Sequence, residues 1–489
     1  MLINRLIGVL TFSAILASAI DLKGYKYIVV GSGGGGGPLA ARLALARHKT
    51  LLLEAGNDQG HNLNYTLAWN FYVRHYTDEA RQARDFKTVY ETPDGRQYVA
   101  GALGGCTAHN ALVAIYPYRS DFDYIAGLTG DSSWRAENMR KYFTPPLRLV
   151  LQDTQLLSLV LGGAFALNNE TDPLTNIASL IAGHVNVDNE TRDTTPAYYA
   201  LRFSINDAKR NGPREFIVSV RDAVNGDGSK KYPLDVIVAG GIYNSPQLLK
   251  LSGIGPAGEL KKHGTKVVVD LLGVGKNLQD QNEAMVQAHT PKDLSSLKGC
   301  TFEFYSQPDP CLARWMESGL GDRGIYSASG GAAVMLYKST ATTDNEVDIN
   351  MFGVIGNFRG YYLGHAYNTT TRHDWFTWSV LKAHPRNNAG TVTLRSADPL
   401  DPPEIVFNYF DTGVGNYRAD LQANLHKDTA LGHHATCTCP IGTDDDPMAV
   451  LSSKFRVRGV HGSAFPRIPG TFPIVYLYTS GKSYRYDFE

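Results

Sequence analysis

The sequence predicts an α/β fold, and three observations carry that expectation. Tyr27–Val30 is a short apolar, β-branched strand candidate. It runs directly into the turn Gly31-Ser32-Gly33-Gly34-Gly35-Gly36-Gly37, after which Leu39, Leu43 and Ala46 recur at intervals of four and three, the stripe of an amphipathic helix. A second strand candidate, Thr50–Leu53, follows and ends at Glu54. Strand, turn, helix and strand in that order are the start of a parallel, doubly wound sheet.

The turn has a chemical reading. Gly31, Gly33 and Gly36, with Ser32 between the first two, satisfy Gly-x-Gly-x-x-Gly. Glycine lets the backbone bend tightly and approach a pyrophosphate, whose charge meets the amides and dipole of the helix start. Glu54 stands close to the ~20 residues beyond the first glycine where an acid accepts hydrogen bonds from ribose hydroxyls. A flexible linker is the bland alternative, but a linker has no reason to join an apolar strand to an amphipathic helix. The fingerprint serves FAD and NAD alike. Its place at the start of the mature chain and the sequence Glu54-Ala55-Gly56 favour FAD.

Composition bounds the rest. At 489 residues, 43% hydrophobic and 19% charged, the chain is a globular protein of more than one domain, not a disordered one or a disulfide scaffold. Lys and Arg total 47 and Asp and Glu total 47, so no cationic excess marks a nucleic-acid partner. Arg5, the apolar run 6–20 and the small residues Ala17-Ser18-Ala19 read as a secretory signal over 1–19, too short for a membrane span. Acceptor triplets at Asn64, Asn169, Asn189 and Asn368 fit a secreted glycoprotein. Cys300 and Cys311 are candidates for a disulfide in an oxidising compartment. Cys437 and Cys439 beside His433 and His434 lack the spacing of a zinc site, and no metal is expected.

Three further segments are informative. They are Leu103-Gly104-Gly105-Cys106-Thr107-Ala108-His109-Asn110, the stretch from Gly241 through Asn244-Ser245-Pro246 to Gly255, and His434-Ala435-Thr436-Cys437-Thr438-Cys439. With the glycine turn, and in this order, they resemble the glucose-methanol-choline (GMC) oxidoreductases. Gly105 removes a side chain where a planar ring lies against the backbone, and Cys106, His109 and Asn110 fall in the flavin-contacting motif. In members resembling choline oxidase a histidine at the place of His109 bonds covalently to the flavin. A hydrogen-bonded neighbour is the equal alternative here. The stretch 235–241 reads as a strand and tight turn, with Pro246 suited to opening the helix that follows.

The resemblance implies a Rossmann-like FAD-binding domain made of 20–120, 201–290 and 430–489. It also implies a substrate domain on an antiparallel sheet, made of 121–200 and 291–429. The stretch 390–409 looks like part of the substrate domain. Function follows as FAD-dependent oxidation of an alcohol, with hydride passing to flavin N5. His434 matches the family's catalytic base, His433 is its supporting neighbour, and O2 or a quinone-like acceptor reoxidises the flavin. Two departures stand out. Phe472 occupies the place of a second family His or Asn, and the stretch around His461-Gly462 lacks a family strand, as though segments were deleted. Phenylalanine can neither take a proton nor donate a hydrogen bond, which keeps open a redox-neutral lyase or cyclase and a degenerate, inactive homologue.

Overall fold

The computed structural model describes residues 25–55, 103–105, 117–142, 197–200, 205–206, 209–210, 235–302, 308–317, 324–327, 330–338, 347–360, 365–382, 385, 387–399, 401–409, 411–412 and 434–460. In chain order, the elements that position the site are β1 (Tyr27–Val30), α1 (Gly36–Leu45), β2 (Thr50–Leu53), α2 (Arg119–Thr129), β3 (Ala197–Ala200), β4 (Asp235–Val238) and α3 (Gly241–Leu251). There follow β5 (Glu283–His289), α4 (Pro310–Glu317), β6 (Gly331–Tyr337), β7 (Ile349–Ile355), β8 (Trp375–Lys382), β9 (Thr391–Thr393) and β10 (Glu404–Val406).

Both predicted N-terminal strands form over their expected residues. They make a parallel sheet in the order β2-β1-β4, with Tyr27 paired to Thr50 on one side and Asp235 on the other. A central parallel strand is covered on both faces and must be apolar throughout. Val29 is accordingly fully buried, in a cluster with Ala40, Ile237 and Ala239 that Leu39, Leu43 and Leu52 flank. The helix stripe is Leu39, Ala40 and Leu43. Ala46 lies beyond the end of α1 and is exposed, because Arg47 takes a left-handed φ of 63° and stops the helix.

The second sheet is antiparallel, ordered β3-β6-β7-β8-β5. Glu283–His289, which the sequence division put with the dinucleotide half, is its edge strand, paired to β8. One face carries Ile355, Phe376 and Trp378 onto Leu294, Leu297 and Ile325. The expected Cys300–Cys311 disulfide lies in that cluster. Asp309 organises the same loop by accepting from the Cys311 amide at 3.0 Å, the Thr301 and Phe302 amides at 3.2 Å each, and the Tyr326 hydroxyl. The short ladder of β9 with β10, within the stretch expected in the substrate domain, does not join this sheet. It packs with Ile242, Leu278, Phe407 and Tyr409.

A buried ion pair ties that ladder to α3. Lys250, with no exposed surface, donates to both Glu259 carboxylate oxygens at 2.8 Å and to the Val392 carbonyl at 2.6 Å. Glu259 also accepts from the Leu394 amide at 2.8 Å. Burial pulls the lysine pKa down, and Glu259 opposes that pull. Removing one partner of such a pair strands a charge in low dielectric, at a cost of about 3–5 kcal/mol. Lys250→Met is expected to lower unfolding stability by about that amount, read by denaturant titration, and the Lys250→Met/Glu259→Gln double variant to recover part of the loss.

Candidate active site

The cradle begins where β1 ends. Gly31 adopts φ 103°, and a Cβ there would stand 2.1 Å from the Ala239 carbonyl oxygen. A Cβ on Gly36 would stand 2.0 Å from the Gly31 oxygen, so the first turn of α1 rests directly on the bend. Gly105 comes against Gly33 closely enough that its Cβ would lie 2.8 Å from the Gly33 Cα. No side chain caps α1 and no acid occupies its first turn, which leaves the helix start electropositive. Ser32, fully buried, donates its amide to Glu54 Oε2 at 2.7 Å and its hydroxyl to the same oxygen. The Gly104 amide donates to Ser32 Oγ at 2.9 Å. Gly31, Ser32, Gly33, Gly36, Glu54 and Gly105 are thus brought to one place. Cys106, His109, Asn110 and His433 lie outside the described residues, as do the signal segment and Phe472.

These residues fit a dinucleotide. The side chains missing at Gly31, Gly33, Gly36 and Gly105 leave backbone facing the bend, and a carboxylate closes its far edge, where a ribose lies in folds of this type.

His434 is built from the opposite end of the chain. It is 9% exposed, and its backbone amide donates to Asp280 Oδ1 at 2.8 Å. The other oxygen of Asp280 accepts from the Tyr409 hydroxyl at 2.7 Å. Gln279 and Thr436 exchange backbone hydrogen bonds at 3.0 and 2.9 Å, and Gly275 donates to the Thr438 carbonyl at 2.8 Å. Cys437 sits between them at φ 72°, a strained left-handed turn for a non-glycine residue. Burial pushes the His434 pKa down from 6.5 to about 3. The ring is therefore neutral across the physiological range.

One hydrogen bond between the two halves fixes their relative position. Pro246 lies inside α3 rather than at its opening, since the helix begins at Gly241. Proline has no amide hydrogen, so the Ile242 carbonyl, four residues earlier, loses its helical partner. The Thr438 hydroxyl donates to that carbonyl at 2.6 Å. The loop of residues 239–242 consequently meets Gly31 on one side and the histidine segment on the other. Asp280, Tyr409, Thr438 and Pro246 were not among the sequence candidates for the site. Their partners are distant in the chain, so no local spacing announces them.

Fold and site together make a dinucleotide-binding scaffold with a buried imidazole, His434, on the segment bonded to it. Two family models described as GMC oxidoreductase match residues 198–283 and 413–481. An oxygen-dependent choline dehydrogenase of Photobacterium profundum is 26% identical, with 91% of this chain and 89% of that one covered. A Brucella anthropi protein of the same name is 29% identical over 48% of each chain. In fold, a formate oxidase from Aspergillus oryzae is similar with a TM-score of 0.65 at 16% identity, covering 89% of this chain and 92% of that one. A fungal aryl-alcohol oxidase gives a TM-score of 0.54 at 16% identity over 90% and 93%. The family these matches support is that of the GMC oxidoreductases, and its cofactor is FAD.

Two outcomes are expected. Thr438→Val leaves the Ile242 carbonyl without its donor and costs about 1–3 kcal/mol. Adding Pro246→Ala restores a helical amide, so the double variant recovers much of that loss in a denaturation cycle. The second concerns pH. A histidine whose folded pKa is depressed contributes stability above pH 6.5, and that contribution is lost as pH falls toward 3. Across that window the protein should lose on the order of a few kcal/mol through this group, and His434→Gln should flatten that part of the stability curve.

Proposed function

We propose that the protein is an FAD-dependent oxidoreductase acting on the CH–OH group of a small-molecule alcohol. FAD held by this chain would accept the hydride at N5, and O2 or a quinone-like acceptor would reoxidise it. One observation carries this reading: a buried imidazole, His434, stands on the segment whose Thr438 hydroxyl is bonded to the turn that supports the dinucleotide cradle. The names of the choline dehydrogenases and of the aryl-alcohol oxidase support an alcohol as the reductant.

FAD, when bound, supplies the two-electron acceptor. The chain's own residues do the rest. The bend at Gly31, Gly33 and Gly36 would bind the pyrophosphate through backbone and helix dipole, and Glu54 would hold the ribose. Gly105, with Cys106, His109 and Asn110 of the same sequence motif, would hold the flavin. His434 takes the hydroxyl proton at Nε2, because Nδ1 is enclosed by protein. The burial that keeps the ring neutral also opposes the imidazolium, so proton removal gains most when hydride departs with it. Asp280 holds the backbone of His434 in place, and His433 supports it in sequence. Passage through the secretory route, with removal of 1–19, accords with the Cys300–Cys311 disulfide and the exposed acceptor Asn368. Among the described residues no helix is long and apolar enough to cross a membrane.

The test is anaerobic mixing of the flavin-loaded protein with candidate alcohols. Bleaching of the flavin band is expected in the parent, and a loss of about 100-fold or more in its rate in His434→Ala, with the oxidised spectrum unchanged. Undiminished bleaching in that variant removes His434 as the base. Acid precipitation of the same protein decides His109: colour in the pellet that His109→Ala releases marks a covalent link, and colour in the supernatant of both marks a hydrogen-bonded neighbour.

A further inference from the structure

The loop that carries the Cys300–Cys311 disulfide holds more than a cross-link. Cys300 Sγ, Cys311 Sγ and a carboxylate oxygen of Asp309 all lie within 4.8 Å of one another. The three residues are buried, at 5, 5 and 6% exposure in the order Cys300, Cys311, Asp309. Pro308 and Pro310, on either side of Asp309, are exposed, so the group lies just beneath the surface. Two thiolates and one carboxylate are a donor set for zinc or cadmium, with a fourth position left to water.

That proximity has supports besides the bond between the sulfurs. Cys300 follows the single turn Ser295–Leu297, where its amide donates to the Leu297 carbonyl at 3.0 Å and the Leu294 amide donates to the His373 carbonyl at 2.8 Å. Cys311 stands in the first turn of α4, where the Ala313 amide donates to the Asp309 carbonyl at 3.0 Å. The Asp309 carboxylate bridges these two anchors, because it accepts from the Thr301 and Phe302 amides next to Cys300 as well as from the Cys311 amide. Capping of α4 explains the last of those three bonds and not the first two. None of them uses a sulfur atom, so cleaving the disulfide leaves each cysteine on its own anchor and the carboxylate between them.

We infer that Cys300, Cys311 and Asp309 form a redox-gated site for a thiophilic divalent cation, which takes the place of the disulfide when the loop is reduced. A small thiol cleaves the S–S bond by exchange, its own sulfurs ending as a disulfide, and leaves two cysteine thiols. Each thiol gives its proton to solvent as its sulfur bonds the cation. Charge permits the exchange. In the oxidised loop the sulfurs are neutral and Asp309 carries the negative charge, met by the three amides and the Tyr326 hydroxyl. Two thiolates and a divalent cation are neutral together, so the loaded loop presents the same charge to the same donors. Reoxidation expels the cation. The site is separate from the flavin chemistry and does not rest on an alcohol as substrate.

Equilibrium dialysis of the flavin-loaded full chain against zinc, before and after anaerobic reduction with a phosphine, tests the site. The reduced parent is expected to hold one more zinc per chain than the oxidised parent. Cys300→Ser and Cys311→Ser should each lose that zinc, and Asp309→Asn should hold it about tenfold more weakly or worse. A measurement on the parent alone covers variants that fail to fold. In the reduced chain zinc should slow alkylation of Cys300 and Cys311 by about tenfold or more, located by peptide mass spectrometry, because a metal-bound thiolate is withheld from the reagent. Oxidation with glutathione disulfide should then return the zinc to solution. Equal zinc in the oxidised and reduced parent, alkylation of Cys300 and Cys311 indifferent to zinc, or protection found at Cys437 and Cys439 instead would each overturn the site.

Discussion

The hydrogen bond from Thr438 Oγ1 to the Ile242 carbonyl is the constraint on which the site depends. Pro246 creates the need for it by withholding an amide from the interior of α3. A buried carbonyl without a partner is costly, so the segment bearing His434 is drawn to the same turn that buttresses Gly31. A hydroxyl and a backbone carbonyl 196 positions apart along the chain become one structural unit. The cradle and the imidazole therefore do not merely share a domain; each sets the position of the other.

Around that contact the protein spends polar groups where geometry has to be fixed. Asp280 accepts from a backbone amide and a tyrosine hydroxyl, which fixes where His434 leaves the backbone while the ring stays buried. Lys250 and Glu259 hold α3 against β9 through carbonyl and amide contacts as well as through charge. Replacing either pair by apolar packing could match the stability and would lose the register, which is the use to which buried polar pairs are best suited.

The legible part of the sequence was the part whose signals are local. The strands Tyr27–Val30 and Thr50–Leu53 and the glycine turn between them follow from chain order and from what a missing Cβ permits, and they form over their expected residues. The Cys300–Cys311 pairing was legible from proximity. Pro246 was misplaced because proline favours a first helical turn in general, and only the distant Thr438 hydroxyl makes its interior position tolerable here. Glu283–His289 was assigned to the wrong side because its mixture of apolar and polar residues does not say which sheet it joins; pairing with β8 decides that. Asp280 and Tyr409 stayed hidden for the same reason, their partner lying far along the chain.

Contacts of such long range have a consequence for how the molecule is made. The glycine bend leaves the ribosome before the groups that brace it through residues 239–242, since Thr438 follows Ile242 by 196 residues. Loop closure over that span is slow relative to local structure. The nucleotide pocket of a nascent chain is therefore unfinished until Thr438 has been made, and cofactor capture follows that point rather than the folding of the first strands.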